Sequence, residues 1–310
     1  MAKKRKKKSA VKRKTPAKYW IGILHSGSSE IGQQEIKDIA ARLNKKCKKP
    51  PQIEVPDWKD NLSARAKSLI QKKVPVLLAA GGSRAAHAAI RSRGSAKTPI
   101  IVFTSVAPYL LNLIDRTTTT GVCAHTSDHD GARLDWLLKM LQYVDPVIGV
   151  LRNSNRGDKA DQWQEIVDVA QGRCTLVDAD LNGPLTIRKA FELFQRDEVD
   201  AVLVAADPFF YNNRQEVVDR ANSANYPAIY QWREFVNIGG LMSFGPSRDD
   251  CYDRATQMVA DIENGKPIPA VWEVQDANFE LAVSRAKATQ FHRWPLPSPI
   301  DTDPRKVVLP

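Results

Sequence analysis

The chain has no run of 18 or more apolar residues, no CxxC pair, no GxGxxG or GxxxxGK[ST] loop and no GxSxG elbow. Without the first, no segment is long enough to span a bilayer as a helix. The four cysteines, Cys47, Cys123, Cys174 and Cys251, are scattered too widely for a zinc module or a dense disulfide framework, so reduced structural thiols are expected. The missing glycine fingerprints count against dinucleotides and nucleoside triphosphates as ligands. With no nucleophile elbow, and none of the five histidines in a catalytic signature, the chain reads as a non-enzyme that uses no cofactor and no metal. No helix-turn-helix pattern precedes the fold, which counts against sequence-specific DNA readout.

Acid is also missing from one place. Residues 1–18 hold ten Lys or Arg and no Asp or Glu; taking those ten from the net charge of +11 leaves the remainder at +1. Basicity therefore belongs to a tail and not to the fold. A run of like charge with little to bury is expected to be disordered, and the Lys3–Lys18 stretch is either a solubilising arm or a weak contact for polyanions, nucleic acid or an acidic membrane surface. The start resembles the basic part of a signal peptide, but Tyr19 to Leu24 is too short for the apolar part, so the chain as written is not expected to be exported.

What is present is a chain of 310 residues, 43% hydrophobic, long enough for two ordinary cores. Short apolar runs alternate with helical patterns throughout, as in an α/β fold with parallel sheets and crossover helices. Strands are expected at Trp20 to Leu24, Gln52 to Val55, Val74 to Ala79, Ile100 to Phe103, Gly121 to Ala124, Val147 to Leu151, Cys174 to Val177, Val199 to Ala205, Tyr226 to Tyr230 and Leu241 to Phe244. Helical patterns lie between them, including one over Tyr211 to Ala224. These strands are too many for one sheet of usual size, and the pattern restarts near Val147 as it began near Trp20. Two Rossmann-like lobes joined by a multi-stranded hinge are expected. Lobe 1 would be residues 19–122 plus 242–272, lobe 2 residues 123–241 plus 273–310, with 295–310 as an extended strap and residues 1–18 as the tail.

Polar groups gather where strands end, which is where ligands bind in open α/β sheets. Ser26 and Ser28 follow the first strand, Gly82 and Ser83 the third, Thr104 and Ser105 the fourth; Asn153 and Ser154 open the second half of the chain. Gly81-Gly82-Ser83 starts a helix, with Ser83 as a candidate cap; free N–H groups there would receive an anion, or the segment is a simple strand-to-helix turn. Asp207 before Pro208 is either a helix cap or a partner for a ligand ammonium. Trp232, with Phe209, Phe210 and Tyr230, is core or a platform for an apolar ligand. Arg214 and Arg233 would pair with a ligand acid or with Glu216 and Glu234. Cys123, His125, Asp128 and Asp130 fall close together, yet their spacing suits helix capping by Asp128 or Asp130 better than metal ligation.

Several segments together carry a family resemblance: ADPFFYNNRQEVV, YPAIYQWREFVNIGGLMSFGP, TPIIVFTSV, TTGVCAHTSD, NFELAVSRAKA and GGSRAAHAA. They resemble the ABC-transporter substrate-binding proteins of the tryptophan/tyrosine-binding type, over most of residues 19–294. That resemblance implies the type I periplasmic-binding-protein fold and two lobes closing on a small carboxylate-bearing molecule, with an amino acid as the candidate. It also implies a periplasmic location and delivery to an ABC permease and its ATPase if the chain is exported. Ser83 and its neighbours would then hold the ligand carboxylate and Asp207 its ammonium. Where the family has Asp-Pro, this chain has Ala107-Pro108, so one polar contact is expected to be missing. A cytoplasmic ligand-sensing regulator built from the same lobes is the alternative.

Overall fold

A computed structural model describes residues 20–27, 29–48, 51–57, 60–104, 118–124, 129–154, 160–183, 185–267 and 278–310. The first sheet contains β1 (Trp20–His25), β2 (Gln52–Glu54), β3 (Val76–Ala80), β4 (Ile100–Thr104) and β5 (Thr119–Cys123), alternating with α1 (Ser29–Lys46), α2 (Leu62–Gln71) and α3 (Ser83–Arg93). Its order is β2-β1-β3-β4-β5, and every pair is parallel. β3, Val-Leu-Leu-Ala-Ala, is buried at every residue because helices cover both faces of a parallel sheet. Asn61 starts α2 by accepting a hydrogen bond from the Ala64 N–H at 2.9 Å.

The second half contains α4 (Asp130–Leu141), β6 (Val147–Arg152), α5 (Ala160–Ala170), β7 (Thr175–Asp180), α6 (Ile187–Arg196), β8 (Ala201–Val204), α7 (Pro208–Asn212), α8 (Arg214–Ser223), β9 (Ala228–Tyr230), α9 (Arg233–Asn237) and β10 (Met242–Pro246). The parallel order β7-β6-β8-β9-β10 repeats the plan of the first sheet. After α10 (Arg248–Glu263), the sheet is extended by β11 (Phe279–Ser284), antiparallel to β10, and β12 (Lys306–Leu309), parallel to β11. The short helices α11 (Arg285–Gln290) and α12 (Ser298–Asp301) lie between these last two strands in sequence.

The α/β expectation with two parallel-sheet lobes holds, and three details differ. First, the stretch 242–272 is split: β10 hydrogen-bonds into the second sheet, while α10 packs on α1 and on β3, β4 and β5 of the first. Arg42 of α1 anchors α10 through Asp249 at 2.5 Å and Asp253 at 2.6 Å, and Tyr252, Ala255 and Val259 face inward. Second, the pattern over Tyr211 to Ala224 breaks at Asn213 into α7 and α8. Third, the C-terminal stretch forms α12 and the edge strand β12 where an extended strap was expected, because Leu281 to Ser284 supply pairing partners for Lys306 to Leu309. The chain thus passes between lobes after Cys123, back between Pro246 and Arg248, and forward again between Glu263 and Phe279. One apolar cluster is continuous across the lobes, from Phe103 and Tyr252 to Trp232 and Phe235.

Candidate functional site

In each sheet the strand order reverses at one point, between β1 and β3 in the first and between β6 and β8 in the second. Loops leaving neighbouring strands at such a point turn to opposite faces and leave a crevice at the carboxyl ends. Both crevices open on one cavity of about 460 Å³, lined by Ser26 and Gly81 to Arg84 from the first lobe and by Asn153, Asp207 and Trp232 from the second.

The first lip is made of backbone. Gly81 and Gly82 have φ of +83° and +90°, and a Cβ at Gly81 would come within 2.8 Å of the Ser26 nitrogen and 2.9 Å of the His25 ring. Only glycine fits that turn. Ser26 Oγ donates to the Gly81 carbonyl and ties the two strand-end loops together. Gly82, and not Ser83, is the cap residue of α3, and it has no side chain to accept from the first turn. The start of this helix therefore lines the cavity without a side-chain cap and carries the positive end of the helix dipole.

The second lip is made of side chains. Asp207 is buried and caps α7, its Oδ1 accepting from the Phe209 N–H at 2.6 Å, with Pro208 at the first helical position. Below it, fully buried Asp130 accepts from the Ala206 N–H at 3.0 Å and from Gln162, and is ion-paired with fully buried Arg133. Arg133 Nε in turn donates to the Phe244 carbonyl at 2.7 Å. Asp130 is thus the buttress of this lip, while the cap position of α4 belongs to His129.

Between the lips lies a buried ionic floor. Glu35 of α1 accepts from His25 Nε2 at 2.5 Å, Tyr211 OH at 2.7 Å, Tyr252 OH at 2.8 Å and Arg248 Nη2 at 2.6 Å. His25 Nδ1 accepts from the Gly27 N–H at 3.0 Å, so Nε2 carries the proton given to Glu35. Burial alone would raise the Glu35 carboxyl, but the Arg248 charge and the His25 and Tyr211 hydrogen bonds hold it well below the usual carboxylate range. Arg248 also pairs with Glu234 at 3.1 Å and lies over the rings of Tyr211 and Trp232, 4.5 and 5.0 Å from their centroids. Burial pushes the Glu234 carboxyl up despite that pairing.

Among the residues singled out from sequence, Ser26, Gly82, Ser83, Asn153, Asp207 and Trp232 line the cavity. Ser154 does not: its N–H and hydroxyl both go to Asp180 at the end of β7, at 2.9 and 2.5 Å, because β6 and β7 end in register there. Thr104 ends β4, whose Phe103 supplies that strand's lining. Ser28, Ser105, Ala107-Pro108, His125 and Asp128 lie outside the described residues, as does the 1–18 tail. Arg233 pairs with Asp249 at 2.8 Å and Glu280 at 3.2 Å, Arg214 donates to the Tyr211 carbonyl at 3.2 Å, Glu216 holds Arg220, and Glu234 holds Arg248. Neither arginine is ion-paired with Glu216 or Glu234. Sequence reading missed Glu35, Tyr211 and Arg248. Glu35 had a signal, since it interrupts the i+4 series Ile31, Ile39, Leu43 on one face of α1.

Comparison with known proteins agrees with this fold. A family profile described as ABC transporter substrate binding protein matches residues 58–292. A conserved domain protein from Vibrio cholerae superposes with a TM-score of 0.67 at 18% identity, covering 89% of this chain and 95% of that one. An ABC domain from Streptococcus pneumoniae in complex with L-Trp gives 0.66 at 17% identity, covering 94% and 99%. A periplasmic solute binding protein from Actinobacillus succinogenes with bound D-allose gives 0.61 at 14%, covering 87% and 99%. Comparison with curated proteins finds no match. The chain belongs to the ABC transporter substrate-binding protein family and has the type I periplasmic-binding-protein fold.

Proposed function

We propose that the chain receives a small carboxylate-bearing ligand, an amino acid, in the cleft between its lobes and presents it to an ABC permease and its ATPase outside the cytoplasm. One observation carries this reading: the uncapped start of α3 and the Asp207 carboxylate line the same cavity from opposite lobes. A zwitterion is complementary to that pair, its carboxylate at the glycine lip and its ammonium at Asp207. Arg248 is already flanked by the Glu35 and Glu234 carboxyls, so the ligand need not neutralise it. Phe103, Phe209 and Trp232 on the wall suit an apolar or aromatic side chain, and the L-Trp complex among the structural relatives is consistent with it. A ligand that touches both lips gains contacts only when the lobes are together, and so favours closure by its differential affinity.

A thermal-shift panel tests the proposal, with L-amino acids, carboxylates lacking an amine, and neutral sugars including D-allose. A ligand present at 100 times its dissociation constant stabilises the fold by about 2.7 kcal/mol. Amino acids are expected to raise the melting temperature. A response to sugars alone would overturn the reading, and an equal response to carboxylates without an amine would remove Asp207 from it.

A further inference from the structure

The ionic floor touches both lobes. Glu35 sits on α1, which packs on β1 and on α10 and moves with the first sheet. Of the phenols on its carboxylate, Tyr252 belongs to α10, packed on the same sheet, whereas Tyr211 belongs to α7, the helix of the second lip. Arg248 stands where the chain crosses between lobes, and pairs with Glu35 on one side and with Glu234 of α9 on the other. Opening the cleft therefore separates Tyr211 from Glu35 and strains the Arg248 to Glu234 pair, while the His25 and Tyr252 bonds to Glu35 stay intact within one lobe.

We propose that the Tyr211 to Glu35 hydrogen bond is a closure latch that holds a fraction of the ligand-free protein in the closed state, with Glu35 and Arg248 as its positioning residues. It is charge-assisted and largely removed from water, which makes it stronger than a surface contact. Because the closed state is partly populated in advance, a ligand needs less differential affinity to complete closure. The same carboxylate reaches the first lip through His25, whose other nitrogen holds the Gly27 N–H beside Ser26 and Gly81. The latch and the anion-receiving loop are thus fixed to one another. The inference rests on the solute-binding reading for its purpose, but the contact that carries it is independent of any ligand.

Two matched substitutions isolate the latch. Tyr211→Phe and Tyr252→Phe each delete one hydroxyl from the same carboxylate, the second also removing an acceptor of Arg248 Nη2 at 2.7 Å within the first lobe, and leave a ring in place, against Phe235 at 6.3 Å and Phe103 at 5.2 Å. Only the first bond crosses the cleft. Spin labels on cysteines introduced at exposed Lys67 of α2 and Lys189 of α6, with Cys47 and Cys174 replaced by serine, read the distance between lobes in the ligand-free full chain. Tyr211→Phe is expected to shift that distribution to longer distances, Glu35→Gln to do the same, and Tyr252→Phe to leave it where it was. If Tyr211→Phe and Glu35→Gln match the parent, or Tyr252→Phe shifts the distances as far as Tyr211→Phe, the latch is wrong. As no ligand is added, that result leaves the solute-binding reading standing, and an empty ligand panel leaves the latch standing.

Discussion

The two lips of the cleft share one topology and solve it with opposite chemistry. At the first, two glycines with positive φ bring bare backbone to the cavity, and no side chain caps the helix behind them. At the second, a carboxylate caps the helix, a proline follows it, and a buried ion pair holds the strand end from below. The first lip exposes donors and the positive end of a dipole; the second offers an acceptor. Repetition of a fold therefore fixes where a ligand sits and not which groups meet it, and the difference between the lips gives the cleft two chemically distinct sides.

The largest test of that difference is Asp130→Ala. It removes the carboxylate ion-paired with Arg133 at a site with no solvent access, and breaking such a pair costs about 3–5 kcal/mol. Urea unfolding is expected to show that loss; a change below about 1 kcal/mol would mean that the second lip does not rest on the pair. Next in size is Glu35, common to both lips. Its folded pKa lies below the ordinary 4.5, so its stabilisation is full above that value and is lost as pH falls from about 4.5 toward the folded pKa. Stability of the wild type is expected to drop on that acid limb, whereas Glu35→Gln, in which Arg248 keeps Glu234, should be less stable at pH 6 and flatter below 4.5. Parallel curves for the two proteins would remove Glu35 from the acid response. Smaller again is Gly81→Ala, expected to cost about 1–3 kcal/mol from backbone strain and the clash with His25 and Ser26. Gly183→Ala, also at positive φ but with nothing within 4 Å of a Cβ, carries the strain alone. If the two lose the same, the close approach at the first lip costs nothing.

Much of this was legible before the structure. Apolar runs such as Val76–Ala80 and Ala201–Val204 declare strands buried on both faces, and the restart of the pattern near Val147 declares a second lobe. Glycine, serine and aspartate at strand ends pointed to the crevice because topology puts strand ends there. Assignment of β10 and α10 to different lobes was not legible. Ser247 caps α10 and ends the strand pattern, but nothing local in Arg248, Asp249 and Asp250 says that the helix crosses to pair with Arg42. Arg248 looks like a surface residue in sequence; its burial depends on Glu35, Glu234 and Tyr211, brought together from three distant segments. Glu35 was the readable one, a carboxylate on an otherwise apolar face of a helix.

Asp207 gives the smallest effect on stability and the sharpest on meaning. It already has a structural task, accepting from the Phe209 N–H, so its presence in the cavity does not by itself make it a ligand group. Alanine removes both the cap and the charge and should cost about 1 kcal/mol of stability. Asparagine caps about as well as aspartate, so Asp207→Asn should stay within a few tenths of a kcal/mol of wild type. Ligand affinity separates the roles that stability merges. If the carboxylate holds an ammonium, both variants lose about 1.5–3 kcal/mol of binding, the scale of a hydrogen bond to a charged group, and calorimetry with the best amino acid of the panel reads it directly. If Asp207→Asn binds as tightly as wild type while Asp207→Ala merely melts earlier, the acidic lip is a capping device. The polarity of the cleft would then come from the glycine lip alone, and any small anion of the right size would satisfy it.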